Sequence, residues 1–106
     1  MATIELKDND SWKEFIKAEY CVMDCYGDNC VACVILAPTY DAVADEMGEI
    51  AFGRINISQY PKIADAYGIN AMPTLLYFRR GELVDQSIGS IEREELLEHI
   101  SKMLYQ

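Results

Sequence analysis

Hydrophobic and polar positions in the first part of the chain predict a helix followed by a buried strand. Apolar residues recur at i, i+3 and i+4 from Trp12, after helix-capping residue types at positions 8–11, and indicate an amphipathic helix over roughly residues 9–18. Residues 20–26 are apolar on both alternating faces, as expected of a central strand that is covered on both sides. Asp24 is the one carboxylate in this apolar run.

The pattern continues with a long helix, a strand and a short helix. An apolar face extends from about Cys30 to a closing Gly48, and Pro38 inside this helix is expected to kink it. Residues 51–57 then predict another strand, and residues 61–67 a short helix that starts with proline.

The last third of the chain predicts a hairpin and a final helix. Residues 74–79 have a strong strand pattern, residues 80–81 supply a hairpin turn, and residues 83–88 form the antiparallel partner. Ser90 is expected to cap the last helix. The apolar stripe of that helix consists of Leu97, Ile100 and Leu104.

The predicted element order is β-α-β-α-β-α-β-β-α, in which a first strand is placed ahead of the helix at residues 9–18, and this order indicates an α/β fold. Alternating strands and helices form a mixed, mostly parallel sheet with helices on both faces, here with five strands and four helices. A chain of 106 residues is long enough for one hydrophobic core, so we expect a single domain over residues 1–106.

Charge and the start of the chain restrict the possible partners and locations. The net charge of -9 repels phosphate backbones and anionic lipid, so we expect no nucleic-acid or membrane partner. The N-terminus shows no basic region followed by an apolar block, and no run of about eighteen apolar residues occurs, which indicates neither export nor membrane insertion. We therefore expect a cytoplasmic protein.

All four cysteines lie between positions 21 and 33. Such crowding excludes a disulfide framework that ties distant loops together, and it fits a reducing compartment. Cys30 falls at the start of the long helix, where free N–H groups and the helix dipole favour a thiolate, so it is the candidate nucleophile. Cys33 lies one turn later on the same side and is the candidate resolving thiol.

A zinc site is the main structural alternative for these cysteines. A closed structural zinc site needs four ligands, and the further candidates are Cys21, Cys25 and His99. Cys21 and Cys25 point to the strand face opposite Asp24, where they pack as small hydrophobic residues. His99 is expected to face solvent or to cap the C-terminal end of the last helix. We therefore predict no metal site, and a regulatory disulfide through Cys25 stays a minor alternative.

Several separated features resemble one family, the thioredoxins. They are Asp24, the motif Cys30-Val31-Ala32-Cys33, Pro38, the run Met72-Pro73-Thr74, Gly81 and Gly89. The resemblance spans nearly the whole chain in matching element order. It implies the thioredoxin fold and a thiol–disulfide oxidoreductase that reduces protein disulfides, without a bound cofactor. It also implies a monomer that is recharged by a thioredoxin reductase of unspecified type.

The resemblance also implies roles for individual residues. Asp24 is expected to lie buried beneath Cys33 with no nearby fixed partner, hence with a raised pKa, and to accept the proton of that thiol. Pro73 resembles the family's cis-proline, which would place the Met72 backbone opposite Cys30 to pair with an extended substrate segment. A shallow apolar substrate surface is expected around the cysteines. Its residues are Ile57, Ala71, Met72, Ile88 and Gly89.

The chain departs from the usual family motif Trp-Cys-Gly-Pro-Cys-Lys. Asn29, Val31 with Ala32, and Val34 stand in place of the tryptophan, the glycine-proline pair and the lysine. Loss of the lysine beside a retained Asp28 removes positive potential near the sulfurs, which favours a reductant over an oxidant. Two other functions stay open: a disulfide oxidase or isomerase, and a non-catalytic thioredoxin-like binding or metal-carrying module.

Two further positions differ from the family's usual residues. Tyr26 stands in place of another aromatic residue, and Arg54 in place of a lysine near the buried aspartate. These differences leave the expected reaction type intact and concern the choice of partners.

Overall fold

A five-stranded mixed sheet forms the centre of the computed structural model, which describes residues 2–106. The strands are β1 (Thr3–Leu6), β2 (Tyr20–Tyr26), β3 (Ala51–Asn56), β4 (Thr74–Arg79) and β5 (Glu82–Ile88). The helices are α1 (Asn9–Phe15), α2 (Val31–Glu46), α3 (Pro61–Tyr67) and α4 (Arg93–Tyr105). The strand order is β1-β3-β2-β4-β5. Both β1 and β2 pair with β3 in parallel, and β4 pairs antiparallel with both β2 and β5. The predicted α/β fold class is confirmed.

Strand β2 lies at the centre because its side chains are buried on both faces. Val22 packs into one core together with residues of α2 and α4. Cys21, Met23 and Cys25 point the other way, into a second core that α1 and α3 cover. Alternate residues of a strand point to the same face, so Asp24 lies on the same side of the sheet as Val22, the side that α2 covers. Only 1% of its surface is exposed.

Helix α1 begins as its sequence predicts but ends earlier. The Asp8 side chain accepts a hydrogen bond of 2.6 Å from the Ser11 amide and caps the helix. The helix ends at Phe15, three residues before the predicted boundary, because the amides of residues 17 and 18 bond to carbonyls three positions back. This tighter turn leads the chain into β2.

The start of α4 corrects one prediction. Ser90 does not cap the helix; the cap is Glu92, and the helix begins at Arg93. The reason is Ile91, which is 9% exposed and belongs to the first core, so the chain stays extended until this side chain is buried. The buried stripe of α4 accordingly consists of Leu96, Ile100 and Met103, while Leu97 and Leu104 are only partly buried.

His99 is also placed differently from its prediction. Its Nδ1 lies 2.6 Å from Oδ2 of Asp85 on β5, and its ring stacks on Tyr77 with centroids 5.1 Å apart. With 16% of its side chain exposed, it neither faces solvent nor caps the helix end. It joins α4 to the sheet.

Within residues 2–106, none of the helices combines the length and the apolar character needed to cross a bilayer.

Candidate active site

The two cysteines of the motif occupy the first turn of α2. Cys30 is the N-cap, with an extended backbone, and its Sγ accepts a hydrogen bond of 3.2 Å from the Cys33 amide. The two sulfurs form a disulfide, with the Cα atoms 5.3 Å apart. Cys33 is 6% exposed, whereas Cys30 is half-buried. An N–H group directed at the more accessible sulfur stabilises negative charge there when the disulfide is reduced.

The loop before Cys30 is fixed to the end of β3. Oδ1 of Asp28 accepts a hydrogen bond of 2.9 Å from the Asn56 side chain, and the Asp28 amide donates to Oγ of Ser58 at 3.1 Å. Asn29 follows with a left-handed backbone, at φ 55°, and leads directly into Cys30. The sequence prediction missed Asn56 and Ser58. The signal was available, because the carboxyl ends of parallel strands meet at one edge, and these residues follow β3 as Asp28 follows β2.

A second loop, residues 71–73, lies against the disulfide. The peptide bond between Met72 and Pro73 is cis, and the Met72 carbonyl oxygen lies 3.7 Å from Sγ of Cys30. The Pro73 carbonyl accepts a hydrogen bond of 2.7 Å from the Gly89 amide, and the Thr74 hydroxyl donates to the Ala71 carbonyl at 2.9 Å. These two bonds hold the Met72 backbone next to Cys30.

Gly27 allows the two loops to approach each other. A Cβ atom at this position would overlap with the Met72 sulfur and lie 2.8 Å from Oγ of Ser58. Since real Cβ atoms do not come that close to other heavy atoms, Met72 occupies this place only while residue 27 has no side chain.

Asp24 lines a cleft at the start of α2, next to the guanidinium of Arg54. Its Oδ2 is 3.5 Å from Nη2 of Arg54, while Oδ1 has no hydrogen-bond partner within residues 2–106. Burial raises the pKa of Asp24 to about 6, and Arg54 opposes this shift. The raised pKa agrees with the prediction, but the expectation that the carboxylate has no nearby fixed partner is wrong. Arg54 is its register partner on β3.

Tyr26 holds Arg54 in place. The guanidinium carbon lies 5.6 Å from the centre of the Tyr26 ring, and the Tyr26 hydroxyl donates a hydrogen bond of 2.8 Å to Glu5. Glu5 and Tyr26 therefore restrain the cation that faces Asp24.

An open cleft of about 690 Å³ connects these groups. Asp24 and Arg54 line it together with both motif cysteines and Val34 of α2. The buried carboxylate of Asp24 and the buried sulfur of Cys33 thus line the same cleft.

The comparison with known families agrees with this geometry. A family model described as Thioredoxin matches residues 3–102. The chain belongs to the thioredoxin family. Together with the disulfide between Cys30 and Cys33, this membership supports a thiol–disulfide oxidoreductase.

Individual thioredoxins show the extent of the similarity. The M-type chloroplastic thioredoxin of Spinacia oleracea is 39% identical over 108 residues; the match covers 97% of this chain, which spans 60% of the spinach protein's length. The thioredoxin of Rickettsia felis is 31% identical and the match covers 92% of this chain and 94% of that protein. A mutant thioredoxin from Halobacterium salinarum is 23% identical in sequence to this chain. Its solved structure matches with a TM-score of 0.90, and the match covers 98% of this chain and 92% of that one. This last likeness concerns the fold.

The apolar surface around the thioredoxin disulfide is only partly as predicted. Ile88 and Met72 are exposed, and Ala71 and Gly89 are half-buried. Ile57 is 8% exposed and belongs to the second core, so it supports this surface from beneath and does not form it. Three exposed apolar residues of α2 were not predicted. They are Val31, Val34 and Ile35.

Cys21 and Cys25 are free thiols buried in the second core. Burial raises the pKa of Cys21 to about 12 and that of Cys25 further. Cys25 lies on the sheet face opposite Asp24, so the alternative of a regulatory disulfide through it finds no support in this packing. Among residues 2–106, no group of three or more His, Cys, Asp or Glu side chains is placed to hold a metal ion.

Proposed function

We propose that this protein reduces protein disulfides by dithiol–disulfide exchange through Cys30 and Cys33. The observation that carries the proposal is the arrangement of Cys30: it is the accessible sulfur of the pair, it caps a helix, and it lies next to the Met72 carbonyl. An extended substrate segment that pairs with the Met72 backbone would bring its own disulfide to this sulfur. Ala71, Pro73, Ile88 and Gly89 flank the same position.

The first step forms a mixed disulfide. The Cys30 thiolate attacks one substrate sulfur, a Cys30–substrate bond forms, the substrate disulfide breaks, and the departing thiolate takes up a proton.

The second step releases the substrate. Asp24 accepts the proton of Cys33, and the Cys33 thiolate attacks Sγ of Cys30. The Cys30–Cys33 bond forms as the mixed disulfide breaks, and the second substrate sulfur leaves as a thiolate that takes up the proton held by Asp24. Two electrons pass from the dithiol to the substrate in the complete reaction. A thioredoxin reductase then restores the dithiol, so the protein itself needs no bound cofactor.

The surroundings of the sulfurs favour a reductant over a disulfide oxidase or isomerase. Val34 follows Cys33 where the usual family motif has a lysine, and the Asp28 carboxylate lies in the loop before Cys30. Both features raise the energy of a Cys30 thiolate, and a less stable thiolate means a more reducing dithiol. We further propose a cytoplasmic monomer that acts on disulfide-containing proteins, with neither nucleic acid nor membrane as a partner.

Insulin reduction by dithiothreitol tests the activity. The wild-type protein should accelerate the precipitation of insulin chains, and Cys30→Ser should not. Equilibration with glutathione buffers measures the reduction potential of the Cys30–Cys33 couple. A potential of about −270 mV indicates a reductant, whereas one of about −120 mV indicates an oxidant. No acceleration by the wild-type protein would overturn the proposed activity.

A further inference from the structure

Helix α2 presents an apolar face to solvent directly beside the disulfide. Val31, Val34 and Ile35 are 75%, 72% and 63% exposed, and Pro38 is exposed as well. They follow one another at i, i+3, i+4 and i+7 and so share one side of the helix. We call these four residues the α2 face. Contiguous exposed apolar surface on a chain of this size marks a site of contact with another molecule.

Carboxylates border the α2 face at both ends. Asp28 precedes it, and Asp41 and Asp45 follow it on the next turns of the helix. No lysine or arginine occurs in residues 31–46. The guanidinium of Arg54, which lines the adjoining cleft, is engaged with Asp24.

Within residues 2–106, no lysine, arginine or histidine forms a salt bridge with any of these three carboxylates. Asp28 accepts from the Asn56 amide, and Asp41 and Asp45 accept from the Thr3 hydroxyl and the Ala2 amide. All three donors are neutral. Glu46 at the end of α2 differs, since Arg93 neutralises it at 2.8 Å. Among the described residues, the border of the α2 face therefore carries an unbalanced negative potential.

The following inference rests on the proposed function and names its partner class. We propose that the α2 face docks partner proteins whose segment next to the reactive disulfide carries both apolar and basic side chains. Val31 directly follows Cys30, so the α2 face begins beside the sulfur to which a partner is joined in the mixed disulfide. Its apolar side chains would cover the valines and the isoleucine, and its lysines or arginines would meet the three carboxylates.

Two disulfide peptides test the partner class. Both carry the same apolar residues beside an identical disulfide, and they differ only in flanking lysines or glutamates. At low salt we expect kcat/KM for the lysine peptide to exceed that for the glutamate peptide by about tenfold or more. The ratio should approach one in about 1 M salt, where the Debye length falls to about 3 Å. Equal rates at low salt would overturn the proposal.

A matched pair of variants places the effect on α2. Val34→Lys puts a cation in the α2 face and should bring the lysine-to-glutamate ratio close to one. Leu83→Lys makes the same change at a residue that is 38% exposed, at the turn end of the β4–β5 hairpin, far along that hairpin from Ile88 and the disulfide. It should keep the wild-type ratio. A Val34→Lys variant with the wild-type ratio contradicts docking on the α2 face.

Reduction of hydroxyethyl disulfide separates the two proposals. This small neutral disulfide needs the cysteine chemistry but not the docking surface. If the protein reduces hydroxyethyl disulfide but reduces the lysine and glutamate peptides at equal rates, the docking inference alone is overturned. Turnover of neither the neutral disulfide nor the peptides would overturn the proposed function and the docking inference together.

Discussion

Nη2 of Arg54 lies 3.5 Å from Oδ2 of Asp24, and the two residues are direct register partners on β3 and β2. Burial raises the pKa of the carboxyl group, and the guanidinium limits that rise. The resulting pKa of about 6 suits a group that accepts a thiol proton near neutral pH.

Replacement of Arg54 by methionine should raise the pKa of Asp24 above about 6, because burial would then act without an opposing cation. The pH dependence of disulfide reduction should move to higher pH in the same direction. Titration of the Asp24 carboxyl carbon by NMR, in the oxidised protein, measures the shift directly.

Arg93→Met is the matched control for this titration. Arg93 also pairs with a carboxylate, that of Glu46, but it lies on α4 and both partners are exposed. Its loss should leave the titration of Asp24 unchanged. A lower pKa of Asp24 in Arg54→Met would contradict the role assigned to the guanidinium.

Asp24→Asn should stabilise the protein, and increasingly so as the pH rises. The pKa of Asp24 is about 6 in the folded protein against an ordinary 3.8, so ionisation above pH 4 favours the unfolded chain. The free energy of unfolding of the variant should exceed that of the wild type by less than about 1 kcal/mol at pH 4 and by about 3 kcal/mol at pH 8. Denaturant unfolding at the two pH values measures both differences; a gap that shrinks with rising pH would contradict the raised pKa.

The sequence pattern predicts the strands and the motif well because both depend on local features. Residues 20–26 are apolar apart from Asp24 and form β2 with the predicted bounds. Cys30 caps α2 as its place before the helix indicates. Pairings between distant elements are different, since hydrophobic periodicity carries no information on which partner faces a given side chain. His99 illustrates this limit, because Asp85 and Tyr77 reach it only through the packing of α4 on the sheet.

The surroundings of the cysteines show the same limit. Family resemblance identified Asp24 and put Arg54 in the place of a lysine near it, but the ion pair between them was not expected. The restraint of Arg54 by Tyr26 and Glu5 was not expected either, because it depends on three different strands. The prediction for the start of α4 was wrong for a related reason. Ser90 has a better capping side chain than Glu92, yet burial of Ile91 decides where the helix begins.

Gly27→Ala should slow disulfide reduction with little loss of stability. The new methyl group would overlap with Sδ and Cε of Met72, so this side chain would have to turn away from its place between the two loops. These atoms are the far end of a flexible side chain that is 38% exposed, so we expect the free energy of unfolding to fall by less than about 1 kcal/mol. Insulin reduction and denaturant unfolding report the two effects.

Gly48→Ala provides the comparison for Gly27→Ala, because a Cβ there meets nothing within 4 Å. It should keep the wild-type activity and stability to within about 0.5 kcal/mol. Equal behaviour of the two alanine variants would show that the contact between Gly27 and Met72 has no importance for the site.

Alkylation of the reduced, native protein should modify Cys30 first and leave Cys21 and Cys25 unmodified. Both core thiols are fully buried and their pKa values are raised, so the reactive thiolate form is scarce. Mass spectrometry after a short iodoacetamide pulse identifies the labelled positions, and unfolding the same sample should expose all four thiols. Early labelling of Cys25 would contradict its place in the core.

A mixed-disulfide trap tests the central claim most directly, because it assigns the order in which the two sulfurs act. Cys33→Ser retains the nucleophile but lacks the resolving thiol, whereas Cys30→Ser is the matched variant with the other sulfur removed. Each reduced variant is mixed with oxidised insulin and quenched with acid, and covalent adducts are counted by mass. We predict abundant adducts through Cys30 in Cys33→Ser and almost none in Cys30→Ser. Adducts that form through Cys33 in Cys30→Ser, with none in Cys33→Ser, would contradict the assignment of Cys30 as the nucleophile.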